Sequence, residues 1–357
     1  MKRLSDYVGS RDNNFNLLRF LAAFLVLVSH AYALSTGDPG TEPLRQALGT
    51  TPGGIAVDTF FITSGFLVTA SLLARKSVWG FVTARALRIY PGLLVAVLLT
   101  TVVAGLFYGS LPMGEFLMSR GTWSYIVHNS TLFLGVKYML PGVFELTPYA
   151  KAVNGSLWTL PFEVRMYAGL ALLWVVVGMI GRDQPRRFAG AVTVVAVAAL
   201  LLHLSWTGPR YHDFGAMLTA AFFAGAAAYV RRDRIPMSWG VFGACLAAIG
   251  VSAWHADLFF FVYTLTLPYV VLFFAHVPEG SIRQFNRLGD YSYGLYIYGF
   301  PVQQALAASF PGISPLALLA GSAPLTLALA VLSWHLIEKR ALAWKDRKRP
   351  ARRPSVA

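Results

Sequence analysis

Charge is scarce in this sequence. Asp, Glu, Lys and Arg make up 13% of its 357 residues, while 56% are hydrophobic and the mean hydropathy is +0.56. A soluble domain carries about 25% charged residues, so a water-exposed globule is excluded and a polytopic membrane protein is expected. Acid is scarcer still, with 16 Asp/Glu against 30 Lys/Arg. The one cysteine, Cys245, stands in an apolar run, which excludes a disulfide framework and a Cys-based metal site. No His/Asp/Glu cluster has metal-ligand spacing. Neither "GSLW" nor "TSGF" has the G-x-S-x-G pattern of a nucleophile elbow. No acid lies five residues after His30, so the His-x4-Asp arrangement of soluble acyltransferases is missing; Asp38 is eight residues on. No cleavable signal is apparent, because the first apolar run is long enough to span and further runs follow it.

Ten apolar runs do reach spanning length at about 20 residues per crossing. They lie near 15–34, 56–74, 86–108, 160–180, 188–205, 214–230, 238–254, 257–276, 290–308 and 315–337. A shorter run, 123–140, is broken by His128, Asn129 and Lys137 and reads as interfacial or re-entrant. With the N-terminus inside, the inner segments 1–14, 75–88, 181–187, 231–236, 277–289 and 338–357 hold 23 Lys/Arg against 7 Asp/Glu, and the outer loops 5 against 6. This is the positive-inside pattern, which places both termini in the cytoplasm. It accounts for the formal charge of +14 without nucleic acid. The expected architecture is an all-α polytopic bundle of about ten transmembrane helices. It is one domain over 1–340, with a long outer segment 109–159 and a basic cytoplasmic tail 341–357 suited to anionic lipid.

Ionisable groups inside a membrane are costly and mark function. Arg19 and His30 are eleven residues apart, close to three full turns, so they share one face of the first helix about 16 Å apart along its axis. Arg19 is expected near the cytoplasmic end and His30 near the outer end. Asp58 opens the second run and Glu163 the fourth, both expected at the depth of His30. A histidine beside a carboxylate is a general-base arrangement; a hydrogen-bonded packing histidine is the alternative, and the sequence does not choose between the two carboxylates. On the inner side "FVTARALRIYPG" sets Arg85 and Arg88 on one face, and the guanidinium fork suits phosphate. Two arginines at that point also fit a simple positive-inside flank. Pro91 is expected to kink this helix. An inner cationic cluster (Arg19, Arg85, Arg88) and an outer acid–base cluster (His30, Asp58, Glu163) suit acyl-CoA as donor. Its phosphates would stay inside while its pantetheine arm, about as long as the Arg19–His30 separation, reaches outward. His30 would then deprotonate an acceptor hydroxyl as it attacks the thioester.

These residues fall in motifs. "NNFNLLRFLAAFLVLVSH", "GGIAVDTFFITSGFLV", "RALR", "GSLWTLPFEVRMY", "LGDYSYGLYIYGFPVQQ" and "SWHLIEKR" occur in this order, and with them the chain resembles the bacterial membrane acyltransferase-3 family. That family transfers acyl groups from acyl-CoA to envelope glycans. The resemblance covers nearly the whole chain. It implies that His30 is essential as base and that Arg19, Arg85 and Arg88 serve the CoA side. It marks Trp158, Glu163 and Tyr167 in one motif, with Trp158 and Tyr167 facing substrate, and Ser333, Trp334 and Glu338 in the last. Many members carry a histidine ahead of the late-motif proline, where this chain has Gly299 before Phe300 and Pro301. Some carry an esterase-like domain after the bundle, which this sequence is expected to lack.

The expectation is a multi-pass O-acyltransferase of the bacterial inner membrane. It would use acetyl-CoA or another acyl-CoA as donor substrate, with no permanently bound cofactor. Its acceptor would be an envelope polysaccharide or lipid-linked glycan, and its surroundings membrane lipid. A flippase or proton-coupled carrier is the competing class, since intramembrane Arg, His and carboxylates also suit a proton relay. Such carriers show paired repeats with broken helices, and no repeat is visible here. A membrane sensor would need binding alone. The aromatics of 109–159, namely Trp123, Tyr125, Phe133, Tyr138, Phe144 and Tyr149, suit interfacial anchoring or stacking on a sugar. His203, His212, His255, His276 and His335 lie at span ends. Asp290, Tyr291 and Ser292 suit either helix capping or a contact to the CoA nucleotide.

Overall fold

A computed structural model describes residues 1–10, 12–75, 77–180, 183–205 and 213–347, with side chains as far as 344. His212 and the expected basic tail beyond 347 lie outside the described residues. The helices, in chain order, are α1 (Phe15–Thr36), α2 (Arg45–Leu48), α3 (Pro52–Arg75), α4 (Val78–Tyr108), α5 (Met113–Met118), α6 (Arg120–Thr131), α7 (Leu160–Met179), α8 (Gln184–Ser205), α9 (Phe214–Val230), α10 (Trp239–Ser252), α11 (Ala256–His276), α12 (Ser292–Ser309), α13 (Pro315–Ser333) and α14 (Lys339–Arg347). Among the described residues there are isolated β-bridges and no strands. Polar residues set the helix starts, as N-caps do: Ser77 caps α4, Asp213 α9, Ser238 α10 and Ser314 α13.

All ten apolar runs are helical. Seven helices among the described residues are long and apolar enough to cross a membrane: α1, α3, α4, α7 with its leading turn, α8, α11, and α13 with its extension to Trp344. Length and composition thus pick out seven of the expected ten and do not confirm the other three. α9 and α10 have 17 and 14 residues, short of the roughly 20 a crossing takes. α12 is not among the seven either. It carries Tyr293, Tyr296, Tyr298, Gln303 and Gln304, all buried, and lies inside the bundle.

α12 is held by bonds to each neighbour. The Gln303 amide donates to the Leu27 carbonyl (3.0 Å) and the Ser322 hydroxyl (3.2 Å). Gln304 donates to the carbonyls of Tyr149 and Ala152, both at 2.7 Å. Asn154 donates to the Ile297 carbonyl at 2.9 Å, and the Tyr293 hydroxyl donates to the Ile89 carbonyl at 2.8 Å. That last bond lies beside Pro91, through which α4 runs as one helix. A buried polar group keeps its place only where such partners exist.

The segments expected inside meet at one end. Leu4 donates to the Ile235 carbonyl (2.9 Å), Asn14 to the Phe274 and Pro278 carbonyls (3.0 and 2.9 Å), and Arg283 pairs with Asp12 (2.7 Å). At the other end Gln304 meets Tyr149, and Tyr108 meets Ser309 at 2.9 Å. The segment after α4 does fold back. Phe116 packs on Gly105, α6 runs along α4, and the Thr131 carbonyl accepts from Tyr90 at 3.2 Å. Fifteen residues of α4, about 22 Å, separate those contacts. Asn129 then clamps Lys137 through two backbone bonds, and the chain returns to Gly109 through a bridge with Val143.

α3 and α9 cross at two glycines. A Cβ on Gly65 would lie 1.8 Å from the Phe222 carbonyl oxygen, and one on Gly225 2.0 Å from that of Ile62. Small residues let membrane helices approach this closely. Gly65→Ala and Gly225→Ala should each cost about 3 kcal/mol or more through overpacking. Gly169→Ala, with open space around its Cβ, should be neutral. Thermal unfolding in detergent checks this; unaltered unfolding of the Gly65 and Gly225 variants would refute the crossing.

Candidate active site

α1 is unbroken from Phe15 to Thr36, so Arg19 and His30 keep the shared face expected of them. Both meet the chain around α12. The Arg19 guanidinium pairs with Asp290, just ahead of α12, at 3.3 Å. The His30 ring packs edge-on against Phe300, with centroids 5.1 Å apart.

His30 lines a cavity of about 730 Å³ at the end of the bundle that carries Tyr149 and the loop after α1. Trp158, Tyr296 and Phe300 give it flat apolar walls, and Glu42, Arg45 and Asp58 give it charge. Among the described residues no side chain or backbone group hydrogen-bonds the imidazole. The acid beside it is Glu42, which acts on His30 electrostatically. One Glu42 oxygen accepts from the hydroxyl of Ser29, the residue before His30, and the other takes Arg45 at 2.8 Å. Asp58 lines the same cavity, but its Oδ2 accepts from the Tyr263 hydroxyl at 2.8 Å. Its Oδ1 is buried without a partner among the described residues.

Glu163 is not at the depth of His30, which corrects the sequence expectation. The turn Gly155–Thr159, not α7 itself, occupies the outer level. Gly155 sits against the Phe300 ring, Asn154 caps the turn through the Ser156 amide (3.2 Å), and Thr159 bonds Tyr296 (2.6 Å). α7 therefore starts inside the bundle and carries Glu163 deeper. There its carboxylate accepts from the Tyr167 hydroxyl and from Ser64 (3.4 Å). Arg85 lies over the Tyr167 ring at 5.9 Å. Tyr167 is thus a neighbour of Glu163 and does not line the cavity, whereas Trp158 does. Arg165 stacks on Phe162 at 5.5 Å and does not neutralise Glu163.

The inner cluster is not a set of bare cations. Asp290 Oδ2 takes Arg19 (3.3 Å) and Arg88 (2.6 Å) together, and Asp290 Oδ1 accepts from Ser292 at 2.5 Å. Arg88 also reaches Glu338 at 3.5 Å, and Ser333 donates to Glu338 at 2.9 Å. Asp290 is therefore an ion-pair centre at the head of α12. Gly289 presents it, with φ +126° and a Cβ position only 2.4 Å from Trp334 Nε1. Glu338 is reached through one π-turn, Trp334–Glu338, a deviation common at functional sites. Arg19, Arg85 and Arg88 do not line the cavity. Arg19 lies over Phe60 (5.9 Å) and Phe60 packs on Tyr296 (5.8 Å), so aromatic rings stand between Arg19 and the cavity.

Of the loop aromatics, Tyr149 lines the cavity. Phe133 and Trp123 are exposed, Tyr125 is buried, and Phe144 packs on Tyr108. His203 also lines the cavity, while His276 is buried against the Leu272 carbonyl at 2.9 Å. Sequence reasoning missed Glu42, Arg45, Tyr263, Tyr296 and Phe300. The only signal for Tyr263 was a hydroxyl inside an apolar run, which needs a partner.

An all-helical bundle, with seven helices of membrane-crossing length among the described residues and an imidazole lining its cavity, defines a multi-pass membrane protein. The sequence profile of the acyltransferase-3 family, described as an acyltransferase domain, matches residues 12–335, and the chain belongs to that family. It is 31% identical over 349 residues to an O-acetyl transferase of Shigella phage Sf6, covering 93% of this chain and 96% of that one. It is 30% identical over 394 residues to nodulation protein 10 of Rhizobium leguminosarum bv. viciae, covering 99% of each. No solved structure matches the chain.

Removing one member of a buried ion pair leaves an uncompensated charge, at about 3–5 kcal/mol. Asp290→Ala, which strands Arg19 and leaves Arg88 only its longer pair with Glu338, should lower the unfolding temperature sharply. Arg165→Ala, at an exposed position, should not. Equal unfolding temperatures for the two variants would refute the bridging role.

Proposed function

We propose that the protein is an integral O-acyltransferase of the bacterial inner membrane. It moves an acyl group, most simply acetyl, from cytoplasmic acyl-CoA to a hydroxyl of an envelope polysaccharide or lipid-linked glycan on the outer side. The observation that carries this reading is His30, with no protein hydrogen bond to its ring, in the cavity beside Glu42. The family and the O-acetyl transferase relative support the reaction type.

In this mechanism a His30 nitrogen accepts the proton of the acceptor hydroxyl. The oxygen attacks the thioester carbonyl, the new C–O bond forms, and the C–S bond breaks. The leaving thiolate takes the proton back from the imidazolium. Glu42, held by Ser29 and Arg45, stabilises the charged ring. On the donor side, Arg85 and Arg19 each have an Nε without a partner among the described residues and can donate to phosphate or pantetheine oxygens. Arg88 and Asp290 hold Arg19 in place. Glu163 and Tyr167 lie along the route from Arg85 toward the cavity, and the Phe60–Tyr296 rings must give way for the acyl arm.

Removal of a general base costs about 10²–10⁴ in rate. His30→Ala in purified protein should keep acyl-CoA binding and lose transfer. Glu42→Gln should lower kcat with little change in the acyl-CoA KM. Undiminished transfer by His30→Ala would end its role as base. Mass spectrometry of envelope glycans from cells with and without the gene should show one defined acyl mass, and its absence would favour a carrier.

A further inference from the structure

The His30 cavity has a second wall that the transfer step does not use. Asp58 of α3 and Tyr263 of α11 form it, and both line the cavity. Asp58 is 9% exposed. Tyr263 donates to its Oδ2 at 2.8 Å, and its Oδ1 is buried with no donor among the described residues. Buried polar atoms without partners are rare in folded proteins, and each calls for a reason. Asp58 lines the cavity, and a turn of its carboxylate would bring this oxygen to a ligand there. The Tyr263 hydroxyl spends its one proton on Asp58, so it too has only lone pairs to offer. The wall therefore presents two neighbouring acceptors, which match two hydroxyl donors.

Charge narrows the ligand further. Among the described lining residues, Glu42, Asp58, Asp213 and Asp257 stand against one guanidinium, Arg45, and the imidazoles of His30 and His203. Arg45 is committed to Glu42. A carboxylate or phosphate brought into the cavity would meet this excess of acid, where repulsion between buried groups is poorly screened.

We propose that Asp58 and Tyr263 form a subsite that accepts hydrogen bonds from two hydroxyls of a neutral sugar ring and rejects a ring carrying a carboxylate or phosphate. This rests on the acyltransferase reading of the cavity. It assigns Asp58 to acceptor recognition and leaves the base's carboxylate to Glu42.

The test is binding without donor. The full chain in lipid nanodiscs is titrated with methyl β-D-glucopyranoside and with methyl β-D-glucopyranosiduronate, followed by saturation-transfer NMR. The two probes differ by one carboxylate. The neutral glycoside should bind at least about tenfold more tightly. Asp58→Asn and Tyr263→Phe should each weaken it about tenfold, the cost of a lost hydrogen bond to a charged group or its support. Asp58→Asn should also narrow the gap between the probes. Tyr263→Phe keeps the ring's volume and carries the test alone if Asp58→Asn does not fold. Equal or tighter glucuronide binding would overturn the proposal. So would unchanged binding by the folded variants, or no binding of either probe up to about 50 mM. Asp58-dependent binding in a protein that transfers no acyl group would support the subsite while refuting the enzyme reading.

Discussion

One carboxylate, Asp290, sets the half of this bundle in which the N-terminal end of α1 lies. Its Oδ2 receives Arg19 from α1 and Arg88 from α4 at once, and Ser292 fills its other oxygen. In a low-dielectric interior such groups are tolerable only when charge and hydrogen bonds are both answered. Glu338 and Ser333 extend the network to the end of α13. Four parts of the chain far apart in sequence are thereby tied at one level. The register this imposes reaches the site. α1 and α12 rise in the same direction from that level, and eleven residues above Arg19 His30 meets Phe300, ten residues above Asp290.

The two ends of the bundle differ in electrostatic character. At the inner end the arginines of α1 and α4 are largely balanced by acid. At the outer end carboxylates dominate the cavity walls, and one of them, Glu42, is locked by Arg45 and Ser29. Between the ends stands a column of rings and hydroxyls, with Phe60 on Tyr296 and Tyr296 bonded to Thr159. That column separates the arginines from His30 in the structure. On the proposed reading, moving it is what admits the acyl arm.

Composition, charge asymmetry and period were enough to expect an all-helical membrane bundle, the helical extent of ten apolar runs, and a fold-back after α4. These are local or one-dimensional properties. Hydrophobic length, Lys/Arg bias and the 3.6-residue turn are all read along a single strand of sequence. The facing of Arg19 and His30 was legible for the same reason, and so was the family, whose motifs lie in chain order. Hydrophobic length alone does not fix the number of crossings. It could not distinguish a helix facing lipid from α12, whose tyrosines and glutamines are satisfied by other helices.

The partners were decided by the tertiary structure. Glu163 stands at the head of its apolar run, so sequence puts it at the membrane edge. The Asn154 cap and the Gly155–Phe300 contact start α7 inside the bundle and carry Glu163 down to Tyr167. Glu42 reads as a loop charge, and only the folding of that loop over Ser29 brings it to His30. Asp58 stands at the head of its run, and only the packed bundle sets the Tyr263 hydroxyl against one of its oxygens. The sequence by itself determined which residues are chemically capable and on which helix face they lie, because both follow from residue type and turn angle. Which acid answers which base is a matter of a few ångströms between segments distant in the chain, and only the packed bundle supplies that.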